Sequence, residues 1–323
     1  MNDPKKRTFG RFLFKAITVL LALVGLATVL TWLFVFHIFS PSLKVDPSAK
    51  SIQFVRANVQ TSSPQELYLE LMKTMLTRYG LEGDVRPFIN PDGRLGKFIP
   101  LIFGRSPLFR LVPFDAKVRE EGRDYPRSAE TMTGLKRLDN LQTLVTDVLQ
   151  RNIPGDFIEC GAWRGGACIL VRSIFKAYGD VNRKVWVADS FEGLPKPEQA
   201  IDIQYFKGGE VAVALEDAKK NFARYGLLDD QVVFLKGWFI DTLPKAPIGT
   251  VAVLRVDCDL YDSVTQSLQF LYDKVAVGGY VIIDDYGAIV PAKNATEDFR
   301  KKLGITEELK TIDWTGVYWQ KLK

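Results

Sequence analysis

An open α/β fold, with a mostly parallel sheet covered by helices on both faces and one transmembrane helix ahead of it, is predicted by two observations. From Tyr125 onward, short apolar runs at GDFIEC, KVWVAD, QVVFLKG, TVAVLRVD and GGYVIID are mostly separated by helix-length segments. Strands buried on both faces read as continuous apolar runs, and helical crossovers are what join parallel neighbours. Ahead of this region, residues 16–39 (AITVLLALVGLATVLTWLFVFHIF) contain no Asp, Glu, Lys or Arg. At 1.5 Å per residue a helix of that length spans the hydrocarbon layer of a bilayer.

The elements follow in order. Residues 1–15 form a basic tail in which Lys5, Lys6, Arg7, Arg11 and Lys15 stand against Asp3 and account for most of the chain's formal charge of +5. Residues 16–39 are the membrane span, and 40–60, with Pro41, Pro47 and several serines, are a linker. Residues 61–125 are a helical and irregular region expected to act as a lid or to shape an acceptor site. Within it SPQELYLELMKTMLTRYG places Leu67, Leu71, Met75 and Tyr79 along one helical stripe, expected to pack on the core. Residues 126–323 are the main domain, opening on a helix through MTGLKRLDNLQTLVTDVLQ and closing on GVYWQKL, which fits an antiparallel edge strand.

Composition narrows the chemistry. With the basic tail removed the body is near neutral, which argues against a nucleic-acid partner. Cys160, Cys168 and Cys258 lack metal-ligand spacing and are odd in number, so they read as reduced core thiols. The one histidine, His37, falls inside the membrane span. Acid–base and metal chemistry must therefore use carboxylates, whose hard oxygens favour Mg²⁺ or Ca²⁺ over Zn²⁺.

Three groups of residues carry that chemistry. The first strand ends in Glu159-Cys-Gly161-Ala-Trp-Arg-Gly165-Gly166, an E-x-G-x-x-x-G-G turn that lets a ligand approach the backbone and a helix N-terminus. It lacks the nicotinamide fingerprint and has the pattern of S-adenosylmethionine enzymes. Asp189, at the end of the next strand, is placed to take both ribose hydroxyls, with Phe191 lining the adenine pocket. Asp257 and Asp259 end one strand and Asp284 and Asp285 the following one, so four carboxylates converge at the ligand crevice. Four like charges repel, and a divalent cation is the economical way to hold them together. Trp163 and Trp238 are further candidates for the pocket wall.

These motifs, with TMTGLKRLDNLQ ahead of them and in the same order, resemble the macrocin O-methyltransferase (TylF/MycF-like) family of sugar O-methyltransferases, from about Leu67 to the C-terminus. The resemblance implies a class I methyltransferase, Rossmann-like fold with a mostly parallel seven-stranded sheet and an antiparallel last strand. It implies S-adenosylmethionine contacted by Thr131, Met132, Glu159, Gly161, Asp189, Ser190, Gly237 and Trp238. It further implies Mg²⁺ held by Asp257, Asp284 and Asp285, with Asp259 as general base. Cys160 departs from the Thr common at its position. Antibiotic-tailoring members have a short N-terminal region where this chain carries the membrane span and the Phe-, Pro- and Arg-rich insertion, so acceptor identity does not carry over.

The expected activity is transfer of a methyl group to a sugar hydroxyl of a glycoside or a membrane-associated glycan, by a single-pass membrane protein that could form homo-oligomers. The five tail cations against Lys44, Lys50 and Arg56 on the other flank favour a cytoplasmic N-terminus. A cytosolic cofactor argues instead for a cytoplasmic catalytic domain, and the topology stays open. Two alternatives stand beside this reading: a glycosyltransferase using the D-x-D of Asp257 and Asp259 to hold a nucleotide sugar, and an inert membrane scaffold.

Overall fold

The computed structural model describes residues 63–80, 84–87, 109–112 and 114–323. The basic tail, the membrane span and the 40–60 linker lie outside the described residues. Among the described residues no helix is long and apolar enough to cross a membrane.

The elements in chain order are α1 (Pro64–Thr77), β1 (Asp84–Pro87), β2 (Phe109–Val112), α2 (Ala116–Glu120), α3 (Leu135–Gln150), β3 (Asp156–Cys160) and α4 (Gly166–Ala177). There follow β4 (Val185–Asp189), α5 (Ala200–Ile203), α6 (Leu215–Arg224), β5 (Val232–Lys236), α7 (Phe239–Thr242), β6 (Val251–Val256) and α8 (Tyr261–Leu271). The chain closes with β7 (Val275–Ile283), α9 (Val290–Leu303), β8 (Lys310–Thr311) and β9 (Val317–Gln320). β1 and β2 form a separate antiparallel pair.

The main sheet has seven strands in the order β5-β4-β3-β6-β7-β9-β8. The first five are parallel; β9 is antiparallel to both β7 and β8. Each of the five apolar runs read from the sequence is one of the parallel strands, and all six residues of β6 are buried, as a central strand covered on both faces requires. The order reverses between β3 and β6, which opens a crevice at the carboxyl ends of these strands.

The expected edge strand sits one place inward. The two-residue β8 pairs along its outer side, and Trp319 of β9 is fully buried beneath α9, with Arg300 stacked on its ring at 4.8 Å. A central β9 explains why GVYWQKL alternates only weakly: its inner positions pack in the core and its outer ones are still half covered.

Two apolar layers flank the sheet. One joins α1, α3, α4 and α6 to one face through Leu76, Leu141, Ile174 and Phe222; the other joins α8 and α9 to the opposite face through Leu268, Phe299 and Trp319. The stripe of α1 differs from the expected one. Its buried residues are Leu69, Met72, Lys73 and Leu76, whereas Leu71 is 58% exposed and Met75 also faces outward. At about 100° per residue the two sets form arcs of similar width on different sides of the helix, and the buried set follows the i, i+3, i+4, i+7 pattern of a core-facing stripe. Lys73 is tolerated in the seam because its Nζ is paired with Glu70 and, at 2.5 Å, with Asp139 of α3.

The two registers for α1 are separable by measurement. Leu76→Ala is expected to lower the unfolding free energy by about 2–5 kcal/mol and Leu71→Ala to change it by less than about 0.5 kcal/mol, read from chemical denaturation. The opposite ranking would restore the register read from sequence.

Candidate active site

A cavity of about 1000 Å³ opens at the carboxyl ends of β3, β4, β6 and β7. Its floor begins at the glycine turn. Gly161 has φ +91°, and a Cβ there would lie 1.7 Å from the Asp257 carbonyl oxygen, so only glycine lets the end of β3 press against the end of β6. Gly165 (φ +85°) then turns the chain into α4, whose first amide, Gly166 N, donates to the Glu130 carbonyl at 3.1 Å. Between them Trp163 takes a left-handed conformation (φ +49°), and its amide donates to Asp189 Oδ2 at 2.8 Å.

Asp189 thereby ties the end of β4 to the glycine turn. Its other oxygen accepts the Phe191 amide at 2.7 Å. Burial raises its carboxyl above the ordinary range despite these donors. Ser190 Oγ donates to the Gly193 carbonyl (2.6 Å) and accepts the Glu192 amide, closing the following turn, and Gly237 N donates to the Asp189 carbonyl at 3.0 Å. Thr131, Met132, Glu159, Gly161, Asp189, Ser190, Gly237 and Trp238 all line the cavity. Phe191 is not among them: its ring is buried in the apolar layer, 6.2 Å from that of Phe234. Left-handed backbone at Phe191 (φ +56°) turns the side chain inward while its amide bonds Asp189.

The acidic group occupies the opposite half of the floor. Asp257, Asp259, Asp284 and Asp285 all line the cavity. One oxygen from each of Asp257, Asp284 and Asp285 falls within 4.8 Å of the others, a spacing suited to one shared cation. Asp285 Oδ2 is buried without a hydrogen-bond partner among the described residues. Three hard oxygen donors, one of them unsatisfied, fit a divalent cation such as Mg²⁺. Asp259 stands outside this set. It has a left-handed backbone (φ +58°), and no described residue donates a hydrogen bond to its carboxylate. Burial first, then the charges of Asp257 and Asp284, push its carboxyl up to about 7.

Sequence reasoning missed the cations inside this cluster. Arg255, fully buried in β6, bonds Glu159 and Asp284, donates to Asp257 Oδ2 at 2.7 Å and to Thr133 Oγ1 at 3.1 Å. Glu159 and Arg255 are register partners across β3 and β6. Arg137 of α3 bonds the other oxygen of Asp284 and lies 3.2 Å from Asp313. Burial alone would raise Asp284, but the two guanidinium groups overcome it and hold this carboxyl below its ordinary value. Asp257 and Asp285 are instead raised, by burial and by neighbouring carboxylates. Glu159, buried against Arg255 and accepting from Cys168 Sγ at 2.8 Å, is raised to about 7, chiefly by burial. The available signal was a single charge inside the apolar run AVLRV, which only a buried partner explains.

The remaining walls mix aromatic and apolar side chains with polar ones such as Lys196, Glu198, Glu210 and Gln266. Tyr205, Phe206 and Val211 stand on one side and Ile289 and Trp314 on another, the Trp314 Nε1 donating to the Glu121 carbonyl at 2.7 Å. A cavity with a carboxylate floor and such walls accepts a ligand that is polar at its reacting end.

Residues 65–321 match the family model described as Macrocin-O-methyltransferase (TylF). The chain is 52% identical over 213 residues to demethyldecarbamoylnovobiocin O-methyltransferase of Streptomyces niveus, covering 64% of this chain and 81% of that protein. It is 46% identical over 268 residues to mycinamicin III 3''-O-methyltransferase of Micromonospora griseorubida, covering 80% of this chain and 98% of that protein. A tetracenomycin rhamnosyl 4'-O-methyltransferase of Streptomyces olivaceus is 46% identical over 266 residues, 80% of this chain and 94% of its own. The solved structure of the O-methyltransferase NovP superposes with a TM-score of 0.69 at 45% identity, covering 80% of this chain and all of that one.

Arg255→Met removes the one group that satisfies three carboxylates at once, and is expected to cost about 3–5 kcal/mol. Glu159 then holds its proton to higher pH than in the wild type. A folded-state value above the unfolded one means stability is lost as pH rises toward it, so the deficit should be larger at pH 8 than at pH 6. Denaturation midpoints at the two pH values check both the size and the trend.

Proposed function

Because the chain belongs to the macrocin O-methyltransferase family and is an O-methyltransferase, we propose that it moves the methyl group of S-adenosylmethionine to a sugar hydroxyl, assisted by Mg²⁺. Family membership sets aside both the D-x-D glycosyltransferase and the inert scaffold. The observation that carries the finer reading is the pairing, on one cavity floor, of the glycine turn and Asp189 with an unbonded Asp259 beside a three-aspartate cation site. The relatives are named for acceptors such as mycinamicin III and a rhamnosyl tetracenomycin, which supports a sugar-bearing acceptor.

S-adenosylmethionine supplies an electrophilic methyl on a sulfonium, and its ribose is assigned to Asp189, with the Gly237–Trp238 turn beside it. The obstacle for an alcohol is its high pKa. Asp259 removes that proton; its carboxyl, pushed up to about 7 in the metal-free protein, would be lowered by a neighbouring cation and so be ionised at neutral pH. Mg²⁺ held by Asp257, Asp284 and Asp285 would stabilise negative charge developing on the acceptor oxygen. Arg255 and Arg137 keep Asp284 ionised and aimed, so one ligand of the cation is in place before it arrives. Closely spaced strand ends then align donor and acceptor, which for a displacement is a large share of the work.

Asp259→Asn is expected to lower kcat by about 10²- to 10⁴-fold while the dissociation constant for S-adenosylmethionine moves by less than about threefold. A folded variant that retains normal turnover on a glycoside acceptor would remove Asp259 from the base role. The cation reading has its own test. Asp285 and Asp259 are raised in the metal-free protein, so ionising them as pH climbs costs stability, and a cation that binds only the ionised form returns it. The rise in Tm on adding Mg²⁺ should therefore be larger at pH 8 than at pH 6, and absent in Asp285→Asn.

A further inference from the structure

The segment 125–133, which forms part of the cavity wall through Tyr125, Thr131, Met132 and Thr133, is held from outside the cavity. Arg164 belongs to the glycine turn but does not line the cavity. Its Nη1 donates to the carbonyl oxygens of Arg127 at 2.6 Å and Ala129 at 2.7 Å. Its guanidinium lies 4.0 Å over the Trp163 ring, and its own carbonyl accepts from Asn221 Nδ2 at 3.0 Å. One side chain thus fastens two carbonyls of the wall to the turn that carries the cofactor motif.

What this fastening controls follows from the sheet order. Asp189 and Gly237 lie at the ends of β4 and β5, on one side of β3. The carboxylate cluster lies at β6 and β7 on the other side. Just past the fastened carbonyls, Thr131 and Met132 line the cavity, and Thr133 Oγ1 reaches Arg255 at the cluster. The segment therefore runs from the glycine turn, where Tyr125 packs on Trp163, to the carboxylate cluster beside the reacting atoms, and not along β4.

We propose that Arg164 is a positioning residue for the amino-acid end of the methyl donor, holding Thr131 and Met132 against that end, while the adenosine end keeps Asp189, which the Phe191 amide holds as well as that of Trp163. This rests on the S-adenosylmethionine reading above. A charged group donating to two carbonyls is worth enough that its loss should release the wall locally.

The test uses the purified full-length protein and two ligands that share adenosine and a thioether: S-adenosylhomocysteine, and 5'-methylthioadenosine, which lacks the amino-acid part. Arg164→Met is expected to raise the dissociation constant for the first about tenfold or more and for the second by less than about threefold, by isothermal titration. Arg164→Lys, which keeps the charge and loses the planar fork, should fall between wild type and Arg164→Met, and decides the question if the methionine variant does not fold. General loosening of the fold would weaken both ligands in proportion, and that outcome, or no change in either, overturns the proposal. A wild-type protein that binds neither ligand overturns the cofactor reading and the proposal with it.

Discussion

The buried guanidinium of Arg255 is the interaction on which the active-site floor depends. It joins Glu159 at the end of β3, Asp257 just past its own strand, Asp284 just past β7 and Thr133 at the entry to α3. Taking an arginine out of water is costly, and only a full set of partners at low dielectric offsets it. The carboxyl ends of three adjacent strands are therefore constrained together. If β3 slipped by a residue, Glu159 and Arg255 would no longer face each other, and Glu159 would lose its buried partner.

The same interaction divides the acids into two kinds. Asp284 is gripped on both oxygens by Arg137 and Arg255 and is held ionised. Asp285 and Asp259 receive no such support; burial and like charge raise them, so their ionised forms are unfavourable until a cation or an acceptor proton is at hand. A site assembled only from carboxylates would repel itself open, and one fully matched by arginines would have nothing left for a cation or a proton. With two arginines against the four aspartates and Glu159, the floor is held together by ion pairs and still carries carboxylates that no arginine neutralises.

How much of this was legible in the sequence depends on whether the signal was local. The parallel strands were, because a strand covered on both faces must be a continuous apolar run, and their terminal acids were, because such strands present their carboxyl ends to the crevice. Arg255 and Arg137 were not read because one lies inside an apolar strand and the other inside a helix, and their partners come from other strands and a turn near the C-terminus. The α1 stripe failed for a related reason. Lys73 looks like a solvent-facing residue until Asp139, far along the chain, is placed beside it. Phe191 follows an aspartate that lines the cavity, yet a positive φ sends its ring into the core, and a φ value at a non-glycine residue has no sequence signature.

The placement of Gly161 explains how one floor can serve different acceptors. A side chain there would collide with the Asp257 carbonyl, so the glycine turn and the first aspartate of the acidic group meet backbone to backbone. The separation between methyl donor and acceptor hydroxyl is thereby inherited from the register of β3 against β6, where Cys160 pairs with Val256, and not from any loop. The walls have a different origin: Tyr205, Phe206, Val211, Ile289 and Trp314 stand on connections between elements or at their ends. Connections tolerate exchange, whereas a strand register shared by buried charges does not. A chain can therefore change what it admits by altering those walls while the distance and direction of methyl transfer stay with the sheet.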